Sequence, residues 1–309
     1  TDVSDSTETK RTDKLFDIYH SGMVVVGAPG AGIKDGTYPA FAETYKDRPM
    51  IVYVQTNDGL LHAFNDADGK ERWAFLPPNV RAKIRLRGLK WKNTVYTEAG
   101  NLTKPDIPRL LGDGPLIAED VLFDGETDYR TVLFGQLGFG GAGMYVLDIT
   151  NPDLPRFVWA LENSFEDNKQ FSNTKNDNTG VSVWIGSNGP VSADAKYAYE
   201  NLRKTGSTGF IGFYKSNDGT GEKRNWVFLM GNGAEPGNTG FQEAEVFVGK
   251  VSDGTLVKSI LSPISGQKGN IVTPVAVPLS STKEPRHIES FYVGDSMGRI
   301  FKGTLPSDV

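Results

Sequence analysis

The sequence predicts an all-β fold of repeated four-stranded antiparallel units, and three observations carry that expectation. First, "MIVYVQTNDGLLHAF" (50–64) and "SFYVGDSMGRIFKG" (290–303) spell one pattern near opposite ends of a 309-residue chain. A β-branched and aromatic run ends in an acid and a glycine, and a second apolar run follows at once, which reads as strand, tight turn, strand. Second, the pattern recurs in degraded form at "YRTVLFGQLGFGGAGMYVLDI" (129–149) and "NWVFLMGNGAEPGNTGFQEAEVFV" (225–248). Third, 36 glycines and 17 prolines suit many short strands joined by turns and count against a helical chain.

Each hairpin is preceded by a further apolar segment, and these align as "SGMVVVGAP" (21–29), "DGPLIAEDV" (113–121), "NGPVSADAK" (188–196) and "VTPVAVPL" (272–279). Three units continue past the hairpin into a turn and another strand: "NDADGKERWAFL" (65–76), "TNPDLPRFVWAL" (150–161) and "SDGTLVKSIL" (252–261). Four strands per unit is the build of a β-propeller blade. At least four blades are readable, and at roughly 40–50 residues per blade the length leaves room for about six or seven, so the total stays open. Residues 77–112 and 163–224 fit no unit and are expected to be loop insertions; "FEDNKQFSNTKNDNTG" (165–180) reads as an irregular surface loop. The expected organisation is a polar segment over 1–14, a propeller over 15–305 with those insertions, and a boundary at 306–309.

With 38% hydrophobic and 11% aromatic residues the chain can bury a large core. Its longest tight apolar run, "MVVVGA" (23–28), is strand-sized, far short of the roughly 20 residues of a membrane-spanning helix. "TDVSDSTETKRTDK" (1–14) has no hydrophobic signal core, so an export signal is expected outside these residues. Cysteine is absent, which excludes disulfides, thiolate metal sites and a cysteine nucleophile without deciding the compartment. A net charge of −5 argues against a general nucleic-acid binder.

"AFNDADGKERW" (63–73) has the spacing of the tryptophan-docking turn of quinoprotein-type propellers. Gly69 is expected in the left-handed turn position, with Trp73 packing its ring against the neighbouring blade and Trp159 at the matching place in the second unit. A narrower resemblance comes from "LFDIYHSGMVVVGAP" (15–29), "VYVQTNDGLLHAF" (52–64), the 129–152 segment, "MGNG" (230–233) and "YVGDSMGRIF" (292–301) in that order. Together they resemble the C-terminal propeller of the PilY/PilC family of type IV pilus tip and biogenesis proteins. The resemblance implies export to the periplasm, outer membrane and cell surface, and placement at the pilus tip. It also implies a role in pilus assembly and in surface or host adhesion. The partners it implies are pilin or minor pilin subunits, an N-terminal domain of the same protein, and a host or abiotic surface. Many members carry an aspartate-rich calcium loop just before the segment matching "YVGDSMG". Here that interval, "PLSSTKEPRHIES" (278–290), has no aspartate and adds Lys283 and Arg286, so calcium, which needs six or more oxygen ligands, is not expected there.

Other candidate chemistry reads more simply as structure. "GAPGAGIK" (27–34) resembles a phosphate loop with a misplaced lysine and no expected apolar helix behind it, and "GFGGAG" (138–143) precedes a strand where a dinucleotide site needs a helix. Asp66 and Asp68 in "NDADG", and Asp177 in "NTKNDNTG" (173–180), are weak metal candidates without a terminal bidentate glutamate. His20, His62 and His287 share no ligand spacing. No catalytic or cofactor-binding residue is expected. The strongest charge feature is "RAKIRLRGLKWKN" (81–93), where Arg81, Lys83, Arg85, Arg87, Lys90 and Lys92 form a cationic run. It reads either as a solvated edge that resists aggregation or as a docking patch for an acidic partner. The expected function is therefore a non-enzymatic pilus biogenesis and adhesion module. The alternatives are a pyrroloquinoline-quinone-type dehydrogenase-like propeller and a periplasmic outer-membrane assembly scaffold.

Overall fold

In the computed structural model the described residues are 15–34, 36–81, 110–163, 181–186, 191–192, 195–204, 206–217, 219, 221–233, 243–262, 269–278 and 284–305. They form antiparallel sheets arranged as successive blades. Blade 1 contains β1 (Val24–Val26), β2 (Ile51–Gln55), β3 (Leu61–Asn65) and β4 (Glu71–Phe75), paired in that order. Blade 2 begins with β5 (Leu116–Leu122), β6 (Tyr129–Gln136), β7 (Gly143–Asp148) and β8 (Arg156–Asn163). Two further strands, β9 (Val181–Ile185) and β10 (Val191–Ser192), extend its outer edge. Blade 3 contains β11 (Phe210–Asn217), β12 (Glu222–Gly231), β13 (Glu245–Lys250) and β14 (Leu256–Leu261). Blade 4 shows the hairpin β15 (Ser290–Gly294) and β16 (Ile300–Thr304), with Ala276 bridged to Tyr292 alongside it.

All four hairpins and all three continuing strands lie where the repeat places them. One alignment is corrected: "NGPVSADAK" does not open the third blade. Its Val191 and Ser192 pair with β9 at the edge of blade 2, and β11 is the opening strand. The 188–196 stretch has one strong apolar residue to offer a core, whereas β11 pairs with β12 over eight residues and buries Ile211 and Phe213. Within 163–224 the structure thus contains β9, β10 and β11, and within 77–112 it describes only 77–81 and 110–112. A short helix, α1 (Tyr38–Thr44), also follows the glycine-rich 27–34 loop, and it turns Tyr38 and Phe41 inward.

The cores lie between blades, which is why the inner strands read as nearly continuous apolar runs. Ile51, Tyr53 and Leu61 of blade 1 cluster with Leu133, Tyr145 and Leu147 of blade 2. Phe134 and Trp159 of blade 2 cluster with Phe228 and Phe247 of blade 3. Val227 and Leu229 of blade 3 meet Phe291 and Val293 of blade 4. Helix α1 and the loop before it are fastened to blade 2 through buried Asp120, whose carboxylate accepts from Tyr38 Oη at 2.7 Å and Thr131 Oγ1 at 2.6 Å. Burial, with Asp120 beside it, pushes the Tyr38 phenol well above its usual range, so it stays a neutral donor.

Candidate partner-binding surfaces

Any partner of this protein meets a surface whose shape is set by how the blades are locked, and two devices repeat. The first is the tryptophan lock. Trp73 Nε1 donates to the Pro152 carbonyl of blade 2 at 2.8 Å, and Trp159 Nε1 donates to the Val251 carbonyl of blade 3 at 2.8 Å. Each indole on the fourth strand of one blade therefore seats on the β-turn of the next. Gly254, at φ +76°, lies flat under the Trp159 ring, where a Cβ would come within 2.9 Å of the indole. Gly69, at φ +66°, fills the expected left-handed position in the blade 1 turn. An ion pair accompanies each lock: Arg72 with Asp153 between blades 1 and 2, and Lys250 with Asp124 at 2.7 Å between blades 2 and 3.

The second device is an amide clamp that sequence reading missed. At the end of the second strand, Gln55 Nε2 donates to the Gly114 and Gln136 carbonyls of blade 2 at 2.9 and 3.0 Å. Gln136 repeats the move into blade 3, donating to the Ser207 carbonyl at 3.0 Å and accepting from Gly209 N at 3.1 Å. Asn232 does the same for blade 4, accepting from Ile271 N at 2.9 Å. The available signal was the amide after each apolar run, in "YVQ", "FGQ" and "MGN".

The third-blade lock is broken. In blades 1, 2 and 3 the pairing between third and fourth strands shifts register once, just after Ala63, Val146 and Val248. Opposite those residues stand Trp73, Trp159 and, in blade 3, an exposed Lys258.

A strap formed by residues 284–289 crosses between blades. It lies along β11, with Phe213 N donating to the Arg286 carbonyl at 2.9 Å and Ile288 N to the Phe213 carbonyl at 2.8 Å. Glu284 binds Lys215 and Arg224, each at 2.9 Å. Burial opposes ionisation of Glu284, but those two cations hold its carboxyl below the usual range. Arg286, at φ +67°, reaches back to Glu119 of blade 2 at 2.7 Å. This is the interval where the family resemblance implied a calcium loop, and Glu284 is committed to cations of the protein itself.

Glu119 is a buried carboxyl at the foot of this strap. Burial raises its pKa from 4.5 to about 7, opposed by the Arg286 charge and the Asp120 N–H. A carboxylic acid whose folded pKa is raised contributes most below its unfolded pKa and loses that contribution as pH rises to the folded value. Folding stability should therefore fall between about pH 4.5 and 7 through this group, by on the order of 3 kcal/mol at 1.36 kcal/mol per pH unit. Thermal melts of Glu119→Gln and wild type across that window check it: the variant's curve should be the flatter one.

The predicted site residues are scattered. Arg81 is exposed at the end of a helical turn, its N–H bonded to the Pro77 carbonyl at 2.9 Å. Lys83, Arg85, Arg87, Lys90, Lys92 and Asp177 lie outside the described residues. Asp68 acts as a turn residue, accepting from Asn65 Nδ2 at 2.9 Å and Lys70 N at 3.1 Å, and Asp66 donates its N–H to the Met50 carbonyl at 3.0 Å. The histidines sit apart: His20 pairs with Asp113 at 2.7 Å, buried His62 pairs with Glu71 at 2.6 Å, and His287 stacks on Phe213. Among the described residues no group of three histidines or carboxylates is placed to hold a metal. Asp58 and Asp295 serve their own turns: Asp58 accepts from Leu60 N at 3.2 Å and Asp295 from Met297 N at 3.0 Å.

A family model described as the PilY1 beta-propeller domain matches residues 15–221. The chain belongs to this family. Among its relatives, the type IV pilus biogenesis factor PilY1 of Pseudomonas aeruginosa (strain UCBPP-PA14) is 31% identical over 175 residues, covering 54% of this chain and 14% of that protein. A PilY1 homolog of Xylella fastidiosa (strain Temecula1) is 34% identical over 156 residues, covering 48% of this chain and 12% of that protein. The chain thus spans a small part of the length of these relatives. The crystal structure of the P. aeruginosa PilY1 C-terminal domain superposes with a TM-score of 0.55 at 20% identity, covering 90% of this chain and 44% of that one. That likeness extends the shared propeller fold past the matched residues into blades 3 and 4. Among the described residues no helix is long and apolar enough to cross a membrane.

Proposed function

We propose that this PilY1-type propeller acts in type IV pilus biogenesis as a non-enzymatic docking platform. The supporting observation is its membership in the PilY1 propeller family, whose relatives named above are pilus biogenesis factors. The mechanism follows from the locks. Blades coupled by interblade indoles and buried amides form a rigid disc, and rigid scaffolds carry binding in the loops between their strands. In this reading the protein is exported, works at the cell surface and pilus tip, and engages pilin or minor pilin subunits and a host or abiotic surface. It needs neither calcium nor a redox cofactor to do so.

In-frame deletion of the region encoding residues 15–305 should abolish or sharply reduce surface pili and adhesion. Wild-type piliation and adhesion in the deletion strain would contradict the proposal. The cationic run supplies the electrostatic part: reversing Arg85, Arg87 and Lys90 together should weaken pilin binding at least tenfold in low salt and flatten its salt dependence, measured by surface plasmon resonance.

A further inference from the structure

The turn of blade 2 that seats Trp73 also walls a cleft. About 320 Å³ in volume, the cleft opens between Tyr45 at the end of α1, Asp128 before β6, Asn151 and Leu154 in the turn after β7, and Arg156 at the start of β8. A volume of that order holds one small ligand. Its walls are fixed from behind. Arg130 is committed to Glu126 at 2.6 Å and to Asp148 at 3.0 Å, Asp148 also accepts from Thr150 N at 2.9 Å, and the Pro152 carbonyl holds the Trp73 indole.

The lining groups left over are mostly donors. Arg156 is exposed and forms no ion pair among the described residues. Asn151 accepts from Asp153 N through Oδ1 at 3.0 Å, which leaves its amide N–H groups, and Tyr45 adds a phenolic hydroxyl. Asp128 is the opposite case, an exposed carboxylate with no ion pair among the described residues. Arg48 adjoins the same wall: its guanidinium donates to the Gly27 carbonyl and Thr131 Oγ1, each at 2.7 Å, and stands 6.0 Å from the Tyr45 ring. Burial lowers its pKa against the charge of Asp120, and it too forms no ion pair among the described residues. A partly buried cation held by neutral oxygens adds a positive field beside the cleft.

We infer that this cleft binds a sugar acid, its carboxylate on Arg156 and its ring hydroxyls on Asp128, Asn151 and Tyr45. The mixture of groups selects that class. Arg156, with Arg48 near it, calls for a carboxylate, which a guanidinium fork matches bidentately. Asp128 calls for donors and repels a second acid. Sugar hydroxyls both donate and accept, so one ring answers the cation and the carboxylate together. An acidic peptide brings its charge with only backbone N–H groups for Asp128, and a phosphate dianion brings none. The inference is independent of the pilus role.

Isothermal titration of the protein with methyl β-D-glucuronide, methyl β-D-glucoside and the blocked tripeptide Gly-Asp-Gly tests it. The glucuronide should bind at least about tenfold tighter than the glucoside, with the margin shrinking as salt is raised. Arg156→Gln, at an exposed position, should remove that margin without changing the melting temperature. Asp128→Ala removes a negative charge and should still weaken the glucuronide at least about threefold, because the sugar loses its acceptor. Absent or unsaturable glucuronide binding, equal affinity for the two glycosides, or a preference that survives in Arg156→Gln overturns the inference. Tighter glucuronide binding by Asp128→Ala marks a cleft that reads charge alone and overturns it too. So does tighter binding of the tripeptide, which assigns the cleft to an acidic peptide.

Discussion

Replacing Trp159 by alanine should destabilise the protein by about 3–5 kcal/mol, the range for truncating a large buried aromatic. Trp159 is fully buried, touches Phe134 and Phe228 with ring centroids 6.2 and 5.8 Å away, and holds the Val251 carbonyl. Its loss leaves a cavity between blades 2 and 3 and an unpaired acceptor. Trp159→Phe keeps most of the packing and removes only the N–H, so it should cost about 1–3 kcal/mol, the penalty for one unsatisfied buried group. Trp73, half-buried beside Tyr53, should give a smaller loss on the same substitution. Urea melts of the three variants check the order, and a Trp73→Ala loss equal to that of Trp159→Ala would show that burial is not what sets the cost.

Gln136→Ala is expected to cost about 3 kcal/mol, because two buried backbone groups lose their partners at once. The Ser207 carbonyl and the Gly209 N–H both depend on this one amide, and Gln136 is completely buried. Gln136→Glu separates the two roles. An ionised carboxylate can still accept from Gly209 N but cannot donate to the Ser207 carbonyl, and it meets that carbonyl with a buried negative charge. It should therefore be no better than alanine above neutral pH and should recover stability on acidification. Equilibrium unfolding at pH 5 and pH 8 distinguishes this from a clamp whose only function is to fill space.

Most of the fold was legible in the repeat. Runs of β-branched and aromatic residues set the strands, and glycine with an acid set the turns, so each hairpin falls where the pattern places it. The failure at 188–196 has a plain cause: a short apolar stretch beside a glycine looks like an opening strand, and only pairing distinguishes β10, on the edge of blade 2, from β11. The tryptophan lock was readable because indole is rare and its spacing from Gly69 is fixed. The amide clamp was not, since glutamine and asparagine at strand ends carry no periodicity and their partners lie 39 to 81 residues away. The strap was hidden for the same reason. Arg286, Glu119 and Glu284 look like ordinary surface charges until the fold brings blade 2, blade 3 and the 284–289 segment together.

Neighbouring blades are coupled in series through these indole seats. Hydrogen exchange of the Trp159→Phe protein, resolved by mass spectrometry, tests it most directly. Exchange should quicken in β8, in the 249–255 turn and in β13, while the β2–β3 hairpin of blade 1 keeps its wild-type protection. Unchanged exchange around 249–255, or equal acceleration through every blade, would contradict serial coupling.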